Sequence, residues 1–328
     1  MKNFWRELPR PFFALAPMAD VTDAAFRRIV AKYSKVPGGV PYVTYTEFVS
    51  ADGLVLAPEA GRSRLLKDLL FTEAERPVVA QFFTAAPAHM ERAAALAAKM
   101  GFDGVDINMG CPAEVVVGQG AGAELIRNQA LAQELIAAAK RGAPGLPVSV
   151  KTRLGYHQDE LETWVPALLE ARPVAIIIHA RTRKELSQVP AHWERVARAV
   201  EIRDALGSET LIVGNGDVRD VGHGRELAAQ TGADGVMIGR GAFGDPWLFS
   251  GARRAEDSVS EKLRVLVEHA RLYEELLRET KGFAPMRKTL TSGYCRGFPG
   301  AKELRVALME AGDAGAVERV VESFLKTR

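Results

Sequence analysis

Cysteine is scarce in this 328-residue chain: Cys111 and Cys295 are the only two, and they lie far apart. A structural zinc site needs about four Cys or His ligands at short spacings, and no such cluster occurs, so no metal is expected. The two thiols could form at most one disulfide; a reduced, cytoplasmic chain is the expectation. Long apolar runs are missing too. No stretch reaches the roughly 20 residues of a membrane span, which excludes a spanning helix. The N-terminal MKNFWRELPRPFFALAPMAD is broken by Pro11 and Pro17 and lacks the apolar core and cleavage site of a secretory leader. An excess of one charge is also absent. Lys plus Arg number 43 and Asp plus Glu 41, for a net +2, so any nucleic-acid surface has to be local. The first apolar run leads into APMADVTD rather than GxGxxG, which argues against a Rossmann dinucleotide site.

Hydrophobic residues make up 47% and charged residues 26%, enough for a sizeable core and too apolar for a disordered chain. At roughly 100–200 residues per domain the length suggests two domains, or one large barrel with an appendage. Eight short β-like runs recur: Phe12–Ala19, Tyr42–Ser50, Pro77–Thr84, Gly104–Cys111, Pro147–Leu154, Val174–Thr182, Leu211–Val218 and Gly235–Ala242. Their starts lie roughly 24–43 residues apart, the spacing of strand–helix repeats. Between them, Ala88–Met100, 125–141 and 193–206 carry helical periodicity. Eight units predict a (β/α)8 barrel rather than an open doubly wound sheet. After Phe249 the pattern turns helical: a long amphipathic stretch over 258–281, capped by Ser258 or Ser260, then stretches near 284–294 and 301–326. The predicted organisation is a barrel over 1–249 and a small helical domain over 250–328. Lys281, Arg287, Lys288, Arg296, Lys302 and Arg305 form a basic stripe in that tail, either a phosphate-contacting face or an ordinary solvated surface.

The C-terminal ends of barrel strands face the active site, and here nearly every one carries a polar group. Pro17, Met18 and Ala19 close the first unit, Glu47 the second, Gln81 the third, Asn108 and Cys111 the fourth. Lys151 and Arg153, His179 and Arg181, Asn215 and Asp217, and Gly239 and Arg240 close the rest. The turns GNGDV and GRGA follow strands seven and eight, the usual barrel site for a phosphate. Their glycines permit close backbone approach and Arg240 adds a charged contact. Lys151 has three readings: a Schiff base as in barrel aldolases, a charge at a cofactor ring, or a lysine paired with a carboxylate. Gln81 and Asn108 suit hydrogen bonding to a flat, polar-edged ring. Cys111 can donate a proton without tuning, because an ordinary thiol with a pKa of about 8.5 is protonated at neutral pH. As a nucleophile it would need a paired His; as a buried inert thiol it would do nothing.

The segments APMADVTD, TEFVS, VAQFF, DINMGCP, GAGAEL, VSVKTRLG, HARTR, VGNGDV and VMIGRGAFGDPWLF, in this order across residues 16–249, resemble the tRNA-dihydrouridine synthase family of the bacterial type. The resemblance implies an FMN-dependent, NADPH-driven reduction of the uridine C5–C6 double bond in tRNA. It implies that Pro17, Met18 and Ala19 lie against the flavin and that Gln81 and Lys151 bond its polar edge. His179 would contact the flavin, and Asn215, Gly216, Asp217, Gly239 and Arg240 would hold its phosphate. Cys111 would be the catalytic acid. Asn108, Arg153 and Arg181 would grip the flipped base, with Arg287 and Lys288 on the RNA backbone. A monomer is expected. Two departures stand out. Glu114 and Val115 occupy a stretch where many relatives carry lysine, and HART replaces HGRT at Ala180. A Schiff-base aldolase using Lys151 and a non-catalytic tRNA-binding barrel are the alternatives.

Overall fold

A computed structural model describes residues 3–251, 259–289 and 293–326, the side chain of Lys288 excepted. Eight strands, β1 (Phe12–Leu15), β2 (Tyr42–Ser50), β3 (Val78–Phe83), β4 (Gly104–Met109), β5 (Val148–Arg153), β6 (Ala175–His179), β7 (Leu211–Asn215) and β8 (Gly235–Ile238), form a closed barrel in sequence order. All neighbours pair in parallel, and β8 closes on β1 with Phe12–Leu15 opposite Gly235–Ile238. The fold is the (β/α)8 barrel that the repeat spacing predicts, followed by helices.

Around the barrel run α1 (Ala24–Ser34), α2 (Ala51–Leu56), α3 (Glu59–Asp68), α4 (Pro87–Met100), α5 (Glu114–Val117), α6 (Gln129–Gly142), α7 (Leu161–Glu170), α8 (Trp193–Ala205) and α9 (Val221–Thr231). Local chemistry sets their ends. Asp23 caps α1 by accepting from Phe26 N at 2.9 Å, and Asp220 caps α9 through His223 N at 2.8 Å. Helix α4 starts on a proline and stops at Gly101, φ 82°. The sequence pattern did not predict α2, where Ser50 accepts from Gly53 N at 3.0 Å and starts a helix directly from a strand.

The period of two in each strand explains where chemistry can sit. On β4 to β7 the outward set, Val105, Ile107, Val150, Ile176, Ile178 and Ile212, joins the packing against the helices. The inward set is apolar near the N-terminal ends: Phe12, Ala14, Val43, Tyr45, Val79, Ala175, Ile177, Val213 and Met237, plugged below by Trp5. Only in the β3–β5 sector does it turn polar halfway up, at Gln81, Asp106 and Ser149, all buried.

The tail consists of α10 (Val259–Lys281), α11 (Ala284–Thr289), α12 (Ala301–Met309) and α13 (Ala314–Lys326). It has its own apolar cluster, built on Leu266, Tyr273, Leu304 and Val317, into which α1 inserts Ala25 and Ile29. The single stretch expected over 301–326 is two helices. The chain breaks at Gly312, and Asp313 restarts it by accepting from Ala316 N at 2.7 Å. The cap residue Ser258 and the 290–292 part of the stretch near 284–294 lie outside the described residues, whereas Ser260 sits inside α10. Among the described residues no helix is long and apolar enough to cross a membrane.

Candidate active site

The C-terminal strand ends enclose an open-mouthed cavity of about 260 Å³. Pro17, Met18, Asn108, Cys111, Lys151, Arg153, His179, Asn215, Gly216, Asp217, Gly239 and Arg240 line it, all of them sequence-predicted. Ala16, Phe48, Gly110, Pro112, Ser187 and Val218 complete the wall. A register shift between Tyr45 and Phe48 in β2 accounts for Phe48. It interrupts the alternation, so that the phenylalanine reaches the cavity and Glu47 does not.

Beneath one wall runs a chain of buried hydrogen bonds that ends at the thiol loop. Asp106 accepts from Ser149 Oγ at 2.6 Å and from Gln81 Nε2 at 2.7 Å. Gln81 Oε1 accepts from Asn108 Nδ2 at 3.1 Å. Asn108 Oδ1 in turn accepts the backbone N–H groups of Gly110, at 3.1 Å, and Cys111, at 2.8 Å. Burial pushes Asp106 up to about 6, against the pull of Ser149, Gln81 and Lys151. Burial likewise raises the Cys111 thiol, although the Ala113 backbone and the charges of Arg153 and Lys151 pull it down. The sulfur is therefore a neutral donor at rest, with two cations placed to stabilise the thiolate it becomes.

The adjoining wall, from β5 onward, is cationic. Lys151 makes no hydrogen bond or ion pair among the described residues, and burial, then repulsion from Arg153, lowers it to about 8 despite Asp106. Arg153 donates Nε to Gly110 O at 2.8 Å and Nη1 to the carbonyls of Thr182 and Leu186, both at 2.9 Å. Arg181 donates to His179 Nε2 at 3.1 Å. A guanidinium cannot accept, so the neutral ring carries its proton on Nδ1. Burial and then the charges of Lys151, Arg153, Arg181 and Arg240 hold His179 far below the usual imidazole range.

The floor beyond β7 and β8 is a backbone cradle. Gly216 has φ 128°, and a Cβ there would lie 2.8 Å from Ala191 Cβ. Asp217, φ 53°, pairs with Arg181 and with Arg240 Nη2 at 2.8 Å and accepts from Ala191 N at 3.0 Å. Burial opposes its charge, but these partners outweigh burial and keep its carboxyl below the usual range. Asn215 is tied to Met237 O at 2.8 Å, which ties the two turns together.

Several expected contacts fall elsewhere. Gln81 lies beneath the cavity with its amide engaged by Asp106 and Asn108, so it positions Asn108. Arg181 is 2% exposed, stands outside the cavity lining and bonds His179, Asp217 and Val189 O. Ala19 is exposed outside the lining. In the tail, Arg287 Nε donates to Ala311 O at 2.9 Å, the Lys288 side chain lies outside the described atoms, and Lys281 turns inward to Glu47 and Asp68. The exposed part of the stripe is Arg296, Lys302 and Arg305. Sequence reasoning passed over Asp106, although the inward alternation through Asn108 marks it. Nothing local marks Ser187, which reaches the cavity from the loop after β6. No cluster that could hold a metal ion occurs among the described residues.

A family model for dihydrouridine synthases matches residues 14–327. The chain belongs to that family. Its relatives in the dihydrouridine synthase family include the probable tRNA-dihydrouridine synthase 2 of Bacillus subtilis strain 168, 42% identical over 98% of this chain and 97% of that one. The probable tRNA-dihydrouridine synthase of Staphylococcus aureus strain MRSA252 is 41% identical over 98% and 96%. Among solved structures, a 2-naphthoyl-CoA reductase matches 72% of this chain and 49% of its own, with a TM-score of 0.51 and 11% identity. A histamine dehydrogenase from Rhizobium sp. 4-9 matches 72% and 44%, also at 0.51, with 14% identity. These two share the fold with the dihydrouridine synthase barrel and say nothing further about its site.

Proposed function

We propose that the chain is an FMN-dependent, NADPH-driven tRNA-dihydrouridine synthase, with a catalytic barrel over 1–249 and an RNA-binding helical unit over 250–328. The carrying observation is the cavity itself, where a thiol kept protonated shares one space with an unpaired lysine and a glycine-lined anion cradle. The residues fit a flavin mononucleotide. The bare Lys151 ammonium suits the electron-rich edge of the ring, His179 Nδ1–H offers a donor, and Asn215, Gly216, Asp217, Gly239 and Arg240 suit the ribityl phosphate. Pro17 and Met18 would lie against the ring.

A bound flavin supplies hydride equivalents drawn from NADPH. The target uridine has to leave its stack to enter the cavity, where Asn108 and Arg153 would orient it. As hydride reaches C6, negative charge spreads over C5 and O4. Cys111 gives its proton to C5, and Arg153 and Lys151 stabilise the thiolate left behind. Asn108 fixes the thiol loop through two backbone bonds, so the sulfur does not wander during transfer. Lys302 and Arg305 on α12, with Arg296, would meet the RNA backbone, Arg287 and Lys288 at their margin. The enzyme would act as a cytoplasmic monomer.

The lowered pKa of Lys151 also suits Schiff-base chemistry, which is the second reading. One comparison separates them: purified protein that is yellow, releases FMN and converts uridine in unmodified tRNA supports the synthase. Colourless protein trapped covalently by borohydride with a carbonyl substrate would refute it. A colourless protein that binds tRNA and is indifferent to Cys111→Ala would make the barrel non-catalytic.

A further inference from the structure

Lys281 ends α10, yet its ammonium does not face solvent. It lies 2.7 Å from Glu47 Oε2 and 2.9 Å from Asp68 Oδ1, at the end of α3. Glu47 is 5% exposed, and its other oxygen, Oε1, accepts the backbone N–H of Asp20 at 2.6 Å. Asp20 sits at φ 57°, a left-handed conformation that a non-glycine residue keeps only when its surroundings hold it. Met18, two residues before Asp20, and Phe48, next to Glu47, both line the cavity. One carboxylate thus holds a helix of the tail with one oxygen and a wall of the cavity with the other.

The tail does not need this pair to stay attached. Ala25 and Ile29 of α1 already bury themselves among Leu266, Ala270 and Tyr273 of α10. A buried ion pair adds little net stability compared with apolar packing; what it adds is a fixed geometry. Burial works against the Lys281 charge, and Glu47 and Asp68 outweigh it and raise its pKa.

We propose that the Glu47–Lys281 pair is a positioning link through which the seating of the helical unit sets the Pro17–Asp20 wall, so that RNA held on the tail tightens the flavin in the barrel. The link rests on the flavin and tRNA reading above. Linkage makes the effect reciprocal: whatever factor tRNA adds to FMN affinity, FMN adds to tRNA affinity.

The test is FMN affinity of the full chain stripped of flavin, by fluorescence quenching, with and without unmodified tRNA. Lys281→Met is expected to weaken FMN binding about tenfold and to abolish the tightening by tRNA, with Lys281→Arg restoring both to within about threefold. Lys32→Met breaks the exposed Lys32–Glu268 pair between α1 and α10, 2.6 Å, and is expected to change neither. Should Lys281→Met not fold, Glu47→Gln, which keeps an acceptor for Asp20 but loses the charge, is expected to give the same two losses. A wild-type chain that binds no FMN would overturn the functional reading. A wild type that binds FMN, beside a Lys281→Met protein of equal affinity or with tRNA tightening intact, would overturn the link alone.

Discussion

Lys151→Met is expected to make the flavin-free protein more stable and the flavin site worse. The lysine is held at about 8 instead of 10.5, so the folded state disfavours its charged form. At about 1.4 kcal/mol for each tenfold change, that is a penalty of about 3 kcal/mol at pH 7, an upper figure because the group opens onto a wet cavity. The sign follows from the protons. Between pH 8 and 10.5 the unfolded chain keeps the proton that the folded chain has lost, so stability rises with pH across that window. The gain from Lys151→Met is therefore full below pH 8 and fades as the pH approaches 10.5. Methionine has similar length and no charge, so packing against the strand neighbours should change little. For a chain of this size, 3 kcal/mol corresponds to about 4 °C in melting temperature. The assay is urea unfolding of flavin-free wild type and variant at pH 7 and pH 10, with FMN titration of both. A variant no more stable than wild type at pH 7, or one that binds FMN equally well, would refute the idea that this lysine is kept bare for a ligand.

Cys111→Ala is expected to keep FMN and NADPH oxidation but lose about 10²–10⁴-fold in uridine reduction, the usual range for a lost general acid, measured as dihydrouridine formed on cognate tRNA. In the wild type, iodoacetamide should label Cys111 more slowly than free cysteine at pH 8, because burial raises its thiol. Gly216→Ala forces a side chain into φ 128° with its Cβ 2.8 Å from Ala191. About 1–3 kcal/mol of stability should be lost in urea, and FMN affinity with it. Arg296→Glu with Lys302→Glu should weaken tRNA binding and lower its log–log salt slope by about two, whereas Arg287→Glu should lower the melting temperature first, since Arg287 anchors Ala311.

The barrel was legible because its signals are local and periodic. Eight short β-branched or aromatic runs separated by helical stretches name the strands, and alternation names the inward face. The residues that alternation points upward, Asn108, Lys151, Arg153, His179 and Asn215, all reach the cavity. Legibility fails where a register shift or a long side chain intervenes. Glu47 and Phe48 exchange roles at a bulge that their own sequence does not announce. Arg181 stands two residues after His179, yet Asp217, 36 positions later, captures it under the floor. Lys281 looks like the start of a basic stripe until Glu47, 234 positions earlier, takes its ammonium. The pattern behind these cases is electrostatic. A flexible cation goes to the carboxylate that burial has left short of solvent, and which carboxylate that is depends on contacts between distant segments. Strand position fixes where a residue begins, and the buried charge nearest to it fixes where its side chain ends. Of the cations that strand position sets at the cavity, only Lys151 finds neither a carbonyl nor a carboxylate among the described residues, and on the proposed reading it is the one that a bound flavin would satisfy.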